Sequence, residues 1–101
     1  ISASYTLPGG RKFSEDFHVF GMDWSEGVIE FFVDDTVYQE LRRDRMPKSY
    51  AEREWVYDHE FFFIVNVAVG GRWPGYPDES TVFPQAMEID YIRVYQQQPE
   101  K

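Results

Sequence analysis

Bulky side chains recur at every second position along residues 16–24, which predicts a β-strand. Alternate residues of a strand point to the same side, so a period of two separates the segment into two faces. One of these faces is wholly bulky and consists of His18, Phe20, Met22 and Trp24. The chain carries almost no pattern with the helical period of 3.6 residues, and it is therefore expected to be all-β.

Two further strands follow residues 16–24 at short spacing. Residues 25–27 contain a glycine and connect to a β-branched and aromatic run over residues 28–33, which is typical of a hairpin. Two aspartates close that run with a second turn, and residues 37–42 can return as a third strand. Short connections favour antiparallel neighbours, so these three strands are expected to form a meander.

The remaining segments alternate between predicted strands and loops. Residues 2–7 form a short predicted strand before a Pro-Gly-Gly turn, and residues 43–58 carry charges of both signs and form a long surface loop. Residues 61–69 are the most apolar stretch and are predicted to be a central strand covered on both faces. The prolines of residues 72–85 predict a second loop, and residues 87–95 form the last predicted strand before a polar tail.

The chain of 101 residues is expected to be one domain, residues 1–101, folded as an antiparallel β-sandwich of jelly-roll type. Six strands are few for such a fold and supply only about half of a sandwich. Open strand edges recruit other strands. We therefore expect either a homodimer or higher oligomer, or pairing with a missing N-terminal half.

Charge and composition exclude several classes of partner. Ten basic against eighteen acidic residues give a net charge of −8, which repels the phosphates of nucleic acids. The longest apolar run, residues 61–65, falls far short of the ~20 residues that span a bilayer, so no membrane partner is expected. The absence of cysteine excludes disulfides, thiol catalysis and cysteine-ligated zinc.

Six motifs follow one another through nearly the whole chain, in an order and spacing that chance explains poorly. They are Asp16-Phe17-His18-Val19-Phe20 with Trp24; Phe31-Phe32-Val33-Asp34; Trp55-Val56-Tyr57-Asp58-His59; Asn66-Val67-Ala68-Val69-Gly70-Gly71; Trp73-Pro74-Gly75; and residues 87–96. Together they resemble the C-terminal half of the catalytic domain in glycoside hydrolase family 16, with laminarinase, an endo-β-1,3-glucanase, as the nearest type. The resemblance implies a jelly roll whose concave face holds a β-glucan, and a secreted protein.

The family's catalytic motif, Glu-x-Asp-x-x-Glu on one strand, is absent from the sequence. A retaining glycosidase needs two carboxyl groups about 5 to 5.5 Å apart, and this motif supplies them. Glu88 and Asp90 match its first two acids, but Arg93 stands at the third position, and a guanidinium serves neither as nucleophile nor as general acid. No catalytic residue is therefore expected within residues 1–101, and the chain is expected to be inactive alone.

The resemblance also implies sugar contacts and a metal ligand. Asn66 and Trp73 match the asparagine and tryptophan that line the family's cleft, where aromatic faces stack on glucosyl rings and amides bind hydroxyls. Each has a structural alternative, a satisfied core amide for Asn66 and a packed loop anchor for Trp73. Asp90 matches an aspartate that holds a structural calcium ion in the family, although no cofactor is expected to be required. Trp24 and Trp55 are expected in the core, and His18 and His59 in structural or surface roles.

Two hypotheses about function follow from these observations. In the first, the chain is part of an endo-β-1,3-glucanase that hydrolyses β-glucan when complete. In the second, it is a self-associating, non-catalytic β-sandwich with residual β-glucan binding. A generic β-sandwich interaction module ranks third.

Overall fold

A computed structural model describes residues 2–46 and 55–98. The chain divides into two compact units, Ile1–Phe61 and Phe62–Lys101. The prediction that residues 1–101 form a single partial domain stays a prediction. Within the described ranges, no helix is long and apolar enough to cross a membrane.

The first unit contains a three-stranded antiparallel sheet with the strand order β1-β2-β3. The strands are β1 (Phe20–Ser25), β2 (Val28–Val33) and β3 (Thr36–Arg42), joined by two-residue turns. Short 3₁₀ turns lie at Pro8–Gly10, Phe13–Glu15 and Arg43–Arg45. The predicted meander is therefore confirmed, and the described chain is all-β.

The β1–β2 register confirms the predicted faces of the first strand. Trp24 lies opposite Ile29, Met22 opposite Phe31 and Phe20 opposite Val33, so these bulky residues share one side of the sheet. Buried Ile29 and Val33 also lie on this side, and with Leu7 they form the core of the described residues.

A β-bulge interrupts the pairing of β2 with β3. Phe31 lies opposite Gln39, but the next residue, Phe32, lies opposite Val37. Tyr38 is therefore an extra residue on β3 without a partner on β2. Its ring contacts the Tyr5 ring at a centroid distance of 5.9 Å.

The first strand begins at Phe20, four residues later than the sequence predicts. At the earlier positions, the backbone and side chains bond to a turn instead of to β2. The amide N–H of Asp34 donates to the Val19 carbonyl at 2.7 Å, and His18 Nδ1 lies 2.9 Å from the Asp34 carboxylate. His18 and Val19, which precede β1, are thus bonded to Asp34 in the turn between β2 and β3.

The second unit differs most from the sequence prediction. Within residues 62–98, all of which the structure describes, no hydrogen-bonded strand occurs, and neither does one within residues 2–7. A strand exists only through the ladder that it forms with a neighbour, whereas β-propensity reports suitability for a pleated, half-buried surface. Residues 61–69 and 87–95 have that propensity, but their side chains are exposed. The jelly-roll sandwich and the homodimer or higher oligomer accordingly stay predictions.

Candidate functional site

Trp73 lies at the middle of a tight turn in the second unit. The amide N–H of Gly75 donates to the Gly71 carbonyl at 3.0 Å and closes the turn around it. The Trp73 side chain is 94% exposed, so its ring is accessible on both faces. A loop anchor would be packed against its neighbours, whereas this ring is free to stack on a ligand.

The two glycines before Trp73 hold the turn in a conformation that other residues rarely adopt. Gly70 has a φ of 77° and Gly71 a φ of 135°. A β-carbon at Gly70 would also lie 3.2 Å from Pro77 Cδ. The Gly-Gly pair therefore fixes the path by which the chain leaves residues 61–69 and presents Trp73.

Asn66 is exposed and lies seven residues before Trp73. Its amide can both donate to and accept from sugar hydroxyls. Among the described residues, no hydrogen bond or ring contact joins Asn66, Trp73 and Asp90. The structure thus makes both predicted sugar contacts accessible without bringing them into contact.

Asp90 and Glu88 are both exposed in the last predicted strand. Between them and the tail, the Arg93 guanidinium lies 4.2 Å from the centre of the Tyr91 ring, a cation–π contact. Within residues 2–46 and 55–98, no group of three His, Cys, Asp or Glu side chains could hold a metal ion. The calcium ion at Asp90 stays a prediction.

The first unit contains a shallow concavity that the sequence did not predict. It has a volume of about 380 Å³ and is lined by Trp24, Ser25, Glu26, Asp58, His59 and Glu60. Trp24, expected in the core, is instead 45% exposed. Trp55, by contrast, is half-buried and contacts Tyr57 edge to face.

Asp58 attaches the segment 55–61 to the turn between β1 and β2. Its Oδ1 accepts a hydrogen bond from the Gly27 amide at 3.2 Å, and its Oδ2 lies 3.5 Å from Arg43 Nη1. The Arg43 amide in turn donates to the Gly27 carbonyl at 2.9 Å. The β1–β2 turn, the segment that begins at Arg43 and the segment 55–61 therefore contact one another at Gly27. The alternation of residues within one strand does not predict contacts between such distant segments.

His18 and Asp34 form the second polar connection of this unit. The His18 side chain is only 7% exposed, and its Nδ1 lies 2.9 Å from Asp34 Oδ2. Asp34 Oδ1 also accepts from the Val19 amide at 3.0 Å. These bonds, His18 first, lower the pKa of Asp34, and the nearby Arg11 charge acts in the same direction. His18 thus connects the segment before β1 to the turn between β2 and β3.

A row of three carboxylates crosses the sheet. Asp23 of β1 lies opposite Glu30 of β2, which lies opposite Glu40 of β3. The pKa of Glu30 is raised, first by its side-chain hydrogen bond with Glu40, then by partial desolvation and by repulsion from Glu40 and Asp23. Arg42 opposes this shift. Three like charges in register make ionisation of Glu30 unfavourable in the folded state.

Glu30→Gln is expected to raise the melting temperature at pH 7 by roughly 1–3 °C. A raised folded-state pKa means that stability falls as the pH rises from 4.5 through the pKa of Glu30 in the folded state. The gain should therefore disappear below pH 4.5. Thermal melts across this range test it, with the exposed loop variant Glu79→Gln as control. An equal gain at pH 7 and at low pH would contradict the charge explanation.

The chain matches one known family and several known proteins along most of its length. Residues 4–101 match the family described as beta-glucan synthesis-associated protein SKN1/KRE6/Sbg1. The chain is 39% identical over 94 residues to a beta-glucanase of Rhodothermus marinus, covering 91% of this chain and 32% of that protein. It is 33% identical over 98 residues to glucan endo-1,3-beta-glucosidase A1 of Niallia circulans, covering 93% of this chain and 14% of that protein.

A third relative has a name that refers to binding. The chain is 32% identical over 89 residues to a beta-1,3-glucan-binding protein of Penaeus monodon, covering 75% of this chain and 24% of that protein. The chain thus spans less than a third of the length of each of these relatives. No solved structure matches it. The match over residues 4–101 shows that the chain belongs to the SKN1/KRE6/Sbg1 family of beta-glucan synthesis-associated proteins, and its sequence is laminarinase-like, related to glycoside hydrolase family 16.

Proposed function

We propose that this chain contributes part of a β-1,3-glucan-binding cleft of an endo-β-1,3-glucanase, with Asn66 and Trp73 as sugar contacts. The observation that carries the proposal is the Trp73 ring, which is 94% exposed at the tip of a turn closed by Gly71 and Gly75. An exposed indole face offers a flat apolar surface to the C–H face of a glucosyl ring. The glucanase relatives support glucan as the ligand. Secretion is part of this proposal.

Trp73→Ala is expected to weaken the binding of laminarihexaose about five-fold, because a stacking contact is worth ~1 kcal/mol. Asn66→Ala should have an effect of similar size through the loss of hydroxyl hydrogen bonds. Isothermal titration calorimetry measures both. Tyr95→Ala, which removes another highly exposed aromatic ring (82%), is the matched control. Equal affinities of the wild type and both site variants would show that the cleft assignment is wrong.

Hydrolysis by the chain on its own is not expected, since the sequence lacks the Glu-x-Asp-x-x-Glu motif. Purified chain incubated with laminarin should release no more reducing sugar than a blank. Glu88→Gln is the control variant, because Glu88 is the first acid of the incomplete match. Turnover by the wild type that disappears in Glu88→Gln would make the acids of residues 88–90 catalytic and overturn this expectation.

A non-catalytic glucan-binding protein is the second candidate function, and the relative named as a beta-1,3-glucan-binding protein favours it. Both candidates require binding through Asn66 and Trp73. They differ in whether hydrolytic acids act together with this chain. Reducing-sugar release by the chain mixed with a segment that carries those acids would favour the glucanase.

A further inference from the structure

We propose that Trp24, His59 and Phe61 form an aromatic platform on which a glucosyl ring stacks, giving the first unit a sugar site of its own. The choice of sugar rests on the proposed function. The platform itself is independent of Asn66 and Trp73, which belong to the second unit. It lies along the concavity lined by Trp24, Glu26, Asp58 and their neighbours.

The Phe61 ring contacts both of the other two rings. Phe61 stacks on His59 at a centroid distance of 3.9 Å and an interplanar angle of 26°. It also meets Trp24 edge to face at 5.5 Å. Despite these contacts, 45% of Trp24 and 55% of Phe61 stay exposed. Large aromatic side chains held by each other and still accessible provide the apolar surface that the C–H face of a pyranose ring requires.

The polar side chains around the platform are mainly hydrogen-bond acceptors, and the Ser25 hydroxyl can both donate and accept. His59 Nδ1 lies 2.7 Å from the Glu60 carbonyl oxygen, which can only accept, so Nδ1 carries the proton. In the neutral ring, Nε2 is then an acceptor. The Glu26 and Glu60 carboxylates, which line the same concavity, are acceptors as well. Sugar hydroxyls supply the O–H donors that such a set requires.

The site is open to solvent, and the segment that carries it is held in place. A stacking surface of this kind needs contact with only one face of a sugar ring. Asp58 fixes the segment that carries His59 and Phe61 through its bonds to Gly27 and Arg43. A platform fixed before binding loses less conformational entropy when the ligand arrives.

Indole N–H signals in ¹H–¹⁵N NMR spectra test the proposal, because the chain has three tryptophans. The titration uses laminarihexaose and the double variant Asn66→Ala/Trp73→Ala, which lacks the proposed cleft contacts. Trp24→Phe assigns the Trp24 signal. We expect this signal to shift saturably in the double variant, and Phe61→Ala in the same background to weaken binding about five-fold. Phe62→Ala, at a neighbouring position that is 82% exposed, should leave binding unchanged.

Each alternative result has a distinct meaning. A Trp24 signal that does not shift, while Trp73→Ala still weakens the binding of laminarihexaose, overturns the platform and leaves the proposed function intact. No binding of laminarihexaose to the wild type overturns both. A Trp24 signal that shifts with choline but not with laminarihexaose, and less so at high salt, identifies an organic-cation site and overturns the sugar proposal. Phe61→Leu keeps the apolar bulk if Phe61→Ala unfolds, and it too should weaken binding.

Discussion

Gly21→Ala is expected to lower the free energy of unfolding by about 1–2 kcal/mol, although alanine is ordinarily the better residue in a strand. A β-carbon at Gly21 would overlap the ring of Phe32, the residue opposite it on β2. Overpacking costs roughly 1–3 kcal/mol, whereas replacing a strand glycine by alanine gains only about 0.5–1 kcal/mol. The steric cost therefore exceeds the gain. Urea denaturation of both proteins measures the difference.

Phe32→Leu provides the control for this prediction, because it removes the ring that the new methyl group would meet. In that background, Gly21→Ala should be neutral or slightly stabilising. The two single variants and the double variant form a cycle that isolates the pairwise contribution. An unchanged cost of Gly21→Ala in the Phe32→Leu background would show that the steric explanation is wrong.

Asp34→Ala is expected to lower the melting temperature at pH 7 by several degrees. The substitution removes the acceptor for His18 and for the Val19 amide. It also places alanine at a φ of 53°, in the left-handed region that aspartate tolerates better. Thermal melts measure the loss. Asp35→Ala, at the next position of the same turn, should change the melting temperature much less.

The effect of Asp34 should depend on pH in a defined direction. Its folded-state pKa is lowered from 3.8, so its ionised form contributes stability above pH 3.8 that is lost as the pH falls through the folded-state pKa. The difference between wild type and Asp34→Ala should therefore shrink below pH 3.8. Asp34→Asn, which keeps an acceptor oxygen but no charge, should lie between the two. A difference that stays constant down to low pH would assign the effect to backbone strain alone.

Local alternation was sufficient to predict the sheet of the first unit. Residues 28–33 and 37–42 lie within β2 and β3 as expected, because both strands pair with neighbours a few residues away. Residues 61–69 have similar propensity but no ladder, and a ladder depends on a partner that propensity does not specify. Prediction succeeded where the partner strand was local and failed where it was not.

In the candidate sites, too, local features could be predicted from sequence and contacts between distant residues could not. The Gly-Gly turn before Trp73 could be recognised from sequence because a positive φ is a local requirement. The exposure of Trp24 and its contact with Phe61 could not be predicted from sequence, because they depend on where residues 55–61 lie relative to the β1–β2 turn. The Asp58 carboxylate holds this segment at the turn through bonds to Gly27 and Arg43, which lie 31 and 15 residues away in the sequence.

The bulge at Tyr38 changes the odd–even parity of the third strand. Before it, even-numbered Thr36 lies opposite Val33; after it, odd-numbered Gln39 and Leu41 lie opposite Phe31 and Ile29, on that same side of the sheet. One extra residue thus reverses which positions of β3, odd or even, point to a given side of the sheet. Without it, either the Thr36 end or the Leu41 end of the strand would turn its side chains to the opposite face. Because of the extra residue Tyr38, both halves of β3 pair with β2 although their side-chain alternation differs by one residue.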